Sequence, residues 1–472
     1  MRTALLLALL PAGAAADVTG PAADVVRAWA DLQLQQPALR PHLRYLSAYA
    51  TPEADRAELA RVLSFWVNSL SREAELVPPA QVAPGLWRVN LLDYGWDPVV
   101  WERLAGVDPY FHVKLRRTVT VRSRSTGRTF RRDRIVDAAA PWLPPGASAG
   151  LTEQTQSAAP IVRADWFLYR TAIQAGREGH GYYDFLGLGK KEKDFQELVG
   201  VDERLARKAR KEIAAVVARS SVTLNNRGIK RLGAVTGGYW YTQDYKTSTD
   251  RQNTLRLLDG DAEPPEGDAS EQYGTLPNGL FAFWLQNGKG ERQDTAPDFI
   301  AGDGQATDTD RRVHIGLSCI RCHVEGIRPI NDWARQVYHG ALSLQSPDYA
   351  KLVRLRQLYL SDLEGHVKAD QEAYARALGR ACGLKPAELA RAYAAAWHAY
   401  AERDLGLEDA ARELGCTPQQ LVAALDAQLK ATGRLDPVLA GLIQKPPVAV
   451  RREHFEELYG VLQSALRGIA LP

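Results

Sequence analysis

Residues 51–70 read TPEADRAELARVLSFWVNSL and residues 113–135 read VKLRRTVTVRSRSTGRTFRRDRI, and the two stretches together decide the fold class. In the first, Thr51 with Pro52 predicts a helix start, a capping hydroxyl followed by proline at the first helical position. Leu59, Val62, Leu63, Trp66 and Leu70 then recur at helical spacing. In the second, Val113, Leu115, Val119 and Val121 alternate with polar residues up to the turn residues Ser125-Thr126-Gly127, which predicts a hairpin. Working outward, helical patterning is expected over 161–173 and 202–217, and an aromatic strand over 237–245. An acidic, proline-bearing loop follows over 257–270. Beyond Ser346-Pro347 the chain reads as almost entirely helical, with Leu352, Leu355 and Leu358 or Tyr359 on one face. The expected class is mainly α with smaller β portions (α+β), in several domains. The expected segments are 17–145 (helix, then basic hairpin), 146–235 (helical), 236–345 (aromatic and loop-rich) and 346–472 (helical).

The composition is that of a folded protein able to bury a large core, with 45% hydrophobic and 24% charged residues, which excludes a disordered or collagen-like chain. Basic and acidic residues number 59 and 56, so the net charge of +3 calls for no nucleic-acid partner. Residues 1–16 read as a signal peptide: Arg2, the apolar run Ala4 to Leu10, and the small residues Ala14-Ala15-Ala16 at a cleavage point. No cysteine follows that point, and no later stretch is apolar enough for a transmembrane span. The mature chain, from about Asp17, is expected to be exported to the periplasm or beyond.

Four cysteines in 472 residues exclude a disulfide-dense scaffold and direct attention to two of them. Cys319-Ile320-Arg321-Cys322-His323 is the attachment motif of a c-type haem. Two thiols at this spacing each add to one vinyl group on the same haem edge. The histidine immediately after them is carried to the iron as proximal axial ligand. A zinc site would need two further ligands at motif spacing, and a redox dithiol would need a thioredoxin-like βαβ context. Neither is present in the sequence. One covalent haem, held by Cys319, Cys322 and His323, is therefore expected.

The motif and its surroundings resemble the cytochrome c family. The stretches 276–280 (LPNGL), 293–300, 316–323 and 328–333, with VNLLDYGWDP at 89–98 and APIVRADWF at 159–167, are similar to a group of uncharacterised, large exported bacterial proteins. In that group a single haem motif sits late in a long chain. The resemblance implies haem binding and electron transfer, and implies no substrate. The chain departs from small cytochromes c, in which the motif lies near the N-terminus and a methionine follows it. Met1 is the single methionine, so the mature chain offers no thioether to the iron.

The sixth iron position is then open or filled by another residue. His314, His339, His366, His398 and His180 are the histidine candidates, while His42, His112 and His454 have no feature in their favour. Arg321, Arg328 and Arg335 are candidates to pair with haem propionates. A backbone carbonyl within 324–330 is expected to accept from His323 Nδ1, and Trp333 is a candidate to pack on the porphyrin edge. Cys382 and Cys416 lie in two similar helix-end corners, each followed by a proline, and in an exported chain they are a candidate disulfide.

Three weaker patterns remain. The basic residues between Lys114 and Arg134 suit a solvated strand edge better than a polyanion site. Tyr239, Trp240 and Tyr241 suit strand packing better than sugar stacking. Asp298, Asp303, Asp308 and Asp310 match no Ca²⁺ loop. Two functional classes follow: an electron-transfer cytochrome that docks a redox partner protein, or a haem enzyme (peroxidase-like) or haem-based sensor with an open distal side.

Overall fold

The structure is a computed structural model, and it describes residues 20–122, 129–173, 181–209, 212–218, 220, 225–245, 267–296, 312–336, 349–359, 362–433 and 435–468. The fold is α+β and mainly helical, as the sequence patterning leads one to expect. Helices α1 (Pro21–Leu34) and α2 (Arg56–Ser69) flank strand β1 (Leu43–Ser47). Strands β2 (Ala80–Ala83) and β3 (Leu86–Asn90) join it in a sheet of order β2-β3-β1-β6, closed by β6 (Ile161–Arg163), which pairs parallel with β1. Strands β4 (His112–Arg122) and β5 (Thr129–Ala139) pair only with each other, in a register running from His112↔Ala139 to Arg122↔Thr129. The expected hairpin is therefore present. Its turn lies outside the described residues, as do the side chains of its arginines.

The second sheet is antiparallel, in order β11-β10-β9-β8-β7. It comprises β7 (Glu212–Val217), β8 (Arg227–Gly233), β9 (Gly238–Asp244), β10 (Ala269–Thr275) and β11 (Phe281–Asn287). Tyr239, Trp240 and Tyr241 sit in β9 and are buried, so they serve packing. LPNGL at 276–280 is the tight turn from β10 to β11. Leu276 N–H donates to the Leu280 carbonyl, the Asn278 side chain accepts from Leu280 N–H, and Gly279 takes φ +92°. Asn278 also donates to the Asn68 carbonyl, which ties this hairpin to the end of α2.

Where the local reading fails, neighbouring structure overrides periodicity. Thr51-Pro52 opens a single 3-10 turn, Glu53–Asp55, and α2 begins only at Arg56 without a side-chain cap. The segment 202–217 is half helix, α8 (Glu203–Lys208), and half strand β7, whose Ile213, Ala214, Ala215 and Val216 are all buried. A fully buried edge element loses the two-residue alternation that would mark it as a strand. Likewise 161–173 divides into β6 and α5 (Ala164–Ala172).

The C-terminal part is helical. Its main elements are α11 (Leu363–Cys382), α12 (Pro386–Trp397), α13 (Leu407–Leu414) and α16 (Arg452–Arg467), counting α9 (Leu317–His323) and α10 (Tyr349–Tyr359) before them. One apolar core runs from Val25 to Leu462, across all of the expected segment boundaries. Two buried ion-pair networks cross it. Glu413 on α13 lies between Arg163 and Arg452 at 2.6 and 2.5 Å. Asp370 on α11 receives a bidentate pair of bonds from Arg231 at 2.8 Å each and a third from Trp240 Nε1. These contacts fasten the C-terminal helices to both sheets. Among the described residues no helix is long and apolar enough to cross a membrane.

Candidate functional site

Helix α9 carries both thiols and the histidine of the motif. It starts at Gly316, where φ is +79° and a Cβ would stand 2.6 Å from the Ala172 carbonyl, so only glycine lets the chain turn there. Leu317, Cys319 and Ile320 face the core, whereas Cys322, one turn on, is exposed. The chain leaves the helix through Val324, whose carbonyl accepts from Tyr374 Oη, and reaches Gly326 at φ +108°. The Gly326 carbonyl lies 3.3 Å from His323 Nδ1, which supplies the backbone acceptor expected within 324–330.

The other face of the imidazole rests on the second sheet. Tyr273 and Phe283, paired across β10 and β11, lie 5.2 and 5.6 Å from its centre. Nε2 is 3.7 Å from the Glu271 carboxylate. Glu271 also meets Arg227 at 3.5 Å, and Arg227 makes a two-pronged pair with Asp244 at 2.5 and 3.0 Å. Burial alone would raise the Glu271 pKa. The nearby His323 imidazole and the charge of Arg227 outweigh that and hold it down to about 2. His323 is thus the end of a row, Asp244–Arg227–Glu271–His323, laid across β8, β9 and β10, buried at its Asp244 end and half-buried at Glu271 and His323. Glu271 and Arg227 carry no sequence signal beyond being charges within strands, and the sequence reading passes over both.

Beside α9 lies a cavity of about 650 Å³. Arg321 and Cys322 contribute from the helix and Val324 to Pro329 from the following loop. Val367 and Gln371 of α11 and Ala390, Tyr393 and Ala394 of α12 close the far side. The volume is in the range of small-molecule and cofactor sites. Arg321 is already engaged: it pairs with Glu402 at 2.7 Å, both side chains being 7% exposed, and lies over the Trp397 ring. Of the three candidate arginines, Arg328 is the one that lines the cavity and is exposed. Trp333 packs instead against the small cluster of Val216, Leu355 and Leu358, between β7 and α10.

The remaining candidates are dispersed. His180, His339, Asp298, Asp303, Asp308 and Asp310 lie outside the described residues. His366 is exposed in the first turn of α11, and His398 is 59% exposed, with Nδ1 3.2 Å from Glu402. His314 precedes α9, and its N–H donates to Ser318 Oγ. His112 is buried on the Ile161 carbonyl, and burial pushes its pKa down to about 4, so it is neutral. Among the described residues, no hydrogen-bond, ion-pair or ring partner of His323 is a histidine.

The expected Cys382–Cys416 disulfide is absent. Both residues are free thiols: the Cys382 sulfur turns back to the Leu378 carbonyl of its own helix, and the Cys416 sulfur to the Ala411 carbonyl of the helix before it. The corners match less well than their sequences suggest. Cys382 is the last residue of α11, before the left-handed Gly383, whereas Cys416 follows the equivalent Gly415. Similar local words give similar turns but do not bring two turns together.

A covalent haem fits this region on one side and not on the other. Cys322, Arg328 and the apolar walls of the cavity suit the edge and faces of a porphyrin. His323 Nε2 is turned away from the cavity to Glu271, so it can serve iron only by giving up that carboxylate. Comparison with protein-family models, with curated proteins and with solved structures returned no match.

Proposed function

We propose that this chain is an exported mono-haem cytochrome c that transfers single electrons. Cys319 and Cys322 would hold the haem covalently, and His323 would serve as its proximal ligand. The observation that carries the reading is the complete motif on one short helix whose second thiol opens onto a cavity of about 650 Å³. The Gly326 carbonyl at His323 Nδ1 supports it, because an axial histidine is commonly oriented through its second nitrogen. When bound, the haem would supply a one-electron couple. The protein supplies the apolar walls, a guanidinium at Arg328 and a fixed imidazole. Electron transfer ranks above peroxidase-like catalysis on the resemblance to the cytochrome c family, which implies electron transfer and no substrate. The absorption spectrum of the exported protein, with and without cyanide or peroxide, tests this. A six-coordinate low-spin spectrum that ignores both reagents supports a carrier. A high-spin spectrum that responds to them refutes it in favour of catalysis or sensing.

A further inference from the structure

The hairpin of β4 and β5 belongs to neither of the larger sheets. Each strand has 11 residues, about 35 Å of chain at the usual rise, and neither has a third strand beside it. Among the described residues no other helix or strand packs along it. Its base is fixed in the core. His112 is buried on the Ile161 carbonyl, and the Ala140 N–H donates to the Phe111 carbonyl, both of these residues being buried too. A two-stranded ribbon is only marginally stable in water without a second layer against it.

The basic charge of the chain is concentrated on this ribbon. The two strands hold seven basic residues, six of them arginine, against two acidic ones, while the whole chain nets +3. The rest of the chain is therefore slightly acidic. The register divides the ribbon into two unlike faces, because directly paired residues share a face and successive residues alternate. Val113, Leu115, Val119, Val121, Phe130 and Val136 fall on one face, with Arg117, Arg132 and Arg134 between them. Both carboxylates, Asp133 and Asp137, fall on the other, where Asp137 is directly opposite Lys114. The apolar face thus carries cations and no acid. Arg117 is directly opposite Arg134, a like-charge pairing that weakens a free hairpin. Protecting a strand edge explains some charge, but it requires neither a single sign nor apolar residues among the charges.

We propose that the β4–β5 ribbon is a membrane-surface arm, which lays the face of Val119, Val121 and Phe130 with Arg117, Arg132 and Arg134 on an anionic lipid bilayer. Apolar residues interleaved with arginines suit the boundary between headgroups and acyl chains, where long cationic side chains keep their charge in the polar layer. A nucleic acid would neutralise the same arginines but leave the six apolar residues in water. The proposal is independent of the haem reading and assigns the chain a place rather than a chemistry.

The test mixes the full chain with vesicles of phosphatidylcholine alone, or of phosphatidylcholine and phosphatidylglycerol at about two to one, and reads binding by co-sedimentation at low and high salt. The wild-type chain should bind the anionic vesicles, far more weakly at high salt, and ignore the neutral ones. Arg117→Gln, Arg132→Gln and Arg134→Gln together should weaken binding roughly a hundredfold. Val119→Thr with Val121→Thr retains every charge and the β-branched shape, and should weaken it roughly tenfold. The urea midpoint should not fall in either variant, because no described element packs along the arm. No binding of the wild-type chain to anionic vesicles, equal binding to both kinds, binding that the valine variant leaves unchanged, or a variant that unfolds the whole chain would overturn the proposal. Binding to duplex DNA without binding to vesicles would refute the lipid surface and reassign the arm to nucleic acid.

Discussion

Replacing Glu271 by glutamine removes the charge that faces His323 Nε2, and its effect should depend on pH in a defined direction. The Glu271 pKa falls from the ordinary 4.5 to about 2 in the folded chain. At about 1.4 kcal/mol for each tenfold change in proton affinity, that is worth about 3 kcal/mol. The side chain is 19% exposed, so solvent screens little of it. Because the folded value lies below the unfolded one, the stabilisation is fully present above about pH 4.5 and is lost as pH falls toward 2. Glu271→Gln should therefore destabilise the haem-free protein by about 3 kcal/mol at pH 7, and by less than half of that at pH 3. Urea denaturation at the two pH values, followed by tryptophan fluorescence, measures both numbers. A loss of equal size at pH 7 and pH 3, or no loss at pH 7, would refute the electrostatic account of the Asp244–Arg227–Glu271–His323 row.

Glu413→Gln should destabilise the fold by about 3–5 kcal/mol, because it leaves two buried guanidiniums, Arg163 and Arg452, without their shared carboxylate; thermal unfolding checks this, and a loss under 1 kcal/mol would contradict it. Cys382 and Cys416 should both be recovered as thiols after denaturation under alkylating conditions, and in the native state both should label slowly. Burial raises the Cys382 pKa and pushes that of Cys416 up to about 11. A Cys382–Cys416 cross-linked peptide would refute that. Under the haem reading, the lack of any methionine after Met1 should set the potential below that of a Met/His cytochrome c. Redox titration of the two side by side would contradict this if the values were equal or reversed.

The parts of the fold legible in the sequence are those where one period governs a whole element. Leu59, Val62, Leu63 and Trp66 repeat at helical spacing and all reach the core from α2. In the hairpin, Val113, Leu115, Val119 and Val121 of β4 alternate with polar residues, and the strand pairs with β5 in one register. The second sheet is harder to read. β10 runs Ala-Ser-Glu-Gln-Tyr-Gly-Thr and places Ser270, Gln272 and Thr275 in buried positions with Glu271 half-buried between them, which only a cross-strand network makes tolerable. Pro277-Asn278-Gly279 is a turn signal in plain view, but its meaning depends on recognising β10 and β11 as strands. At the site the motif residues announce themselves. Glu271 does not, because it is a charge in a strand whose role comes from residues distant in the chain.

The central claim is that one haem is bound covalently through Cys319 and Cys322. Haem staining of the exported protein after denaturing electrophoresis tests it most directly, with the haem content of the same sample measured as its pyridine complex. The wild-type band should stain and contain one haem per chain, and the Cys319→Ala, Cys322→Ala variant should not stain. An unstained wild-type band, or a stained double variant, would contradict the account.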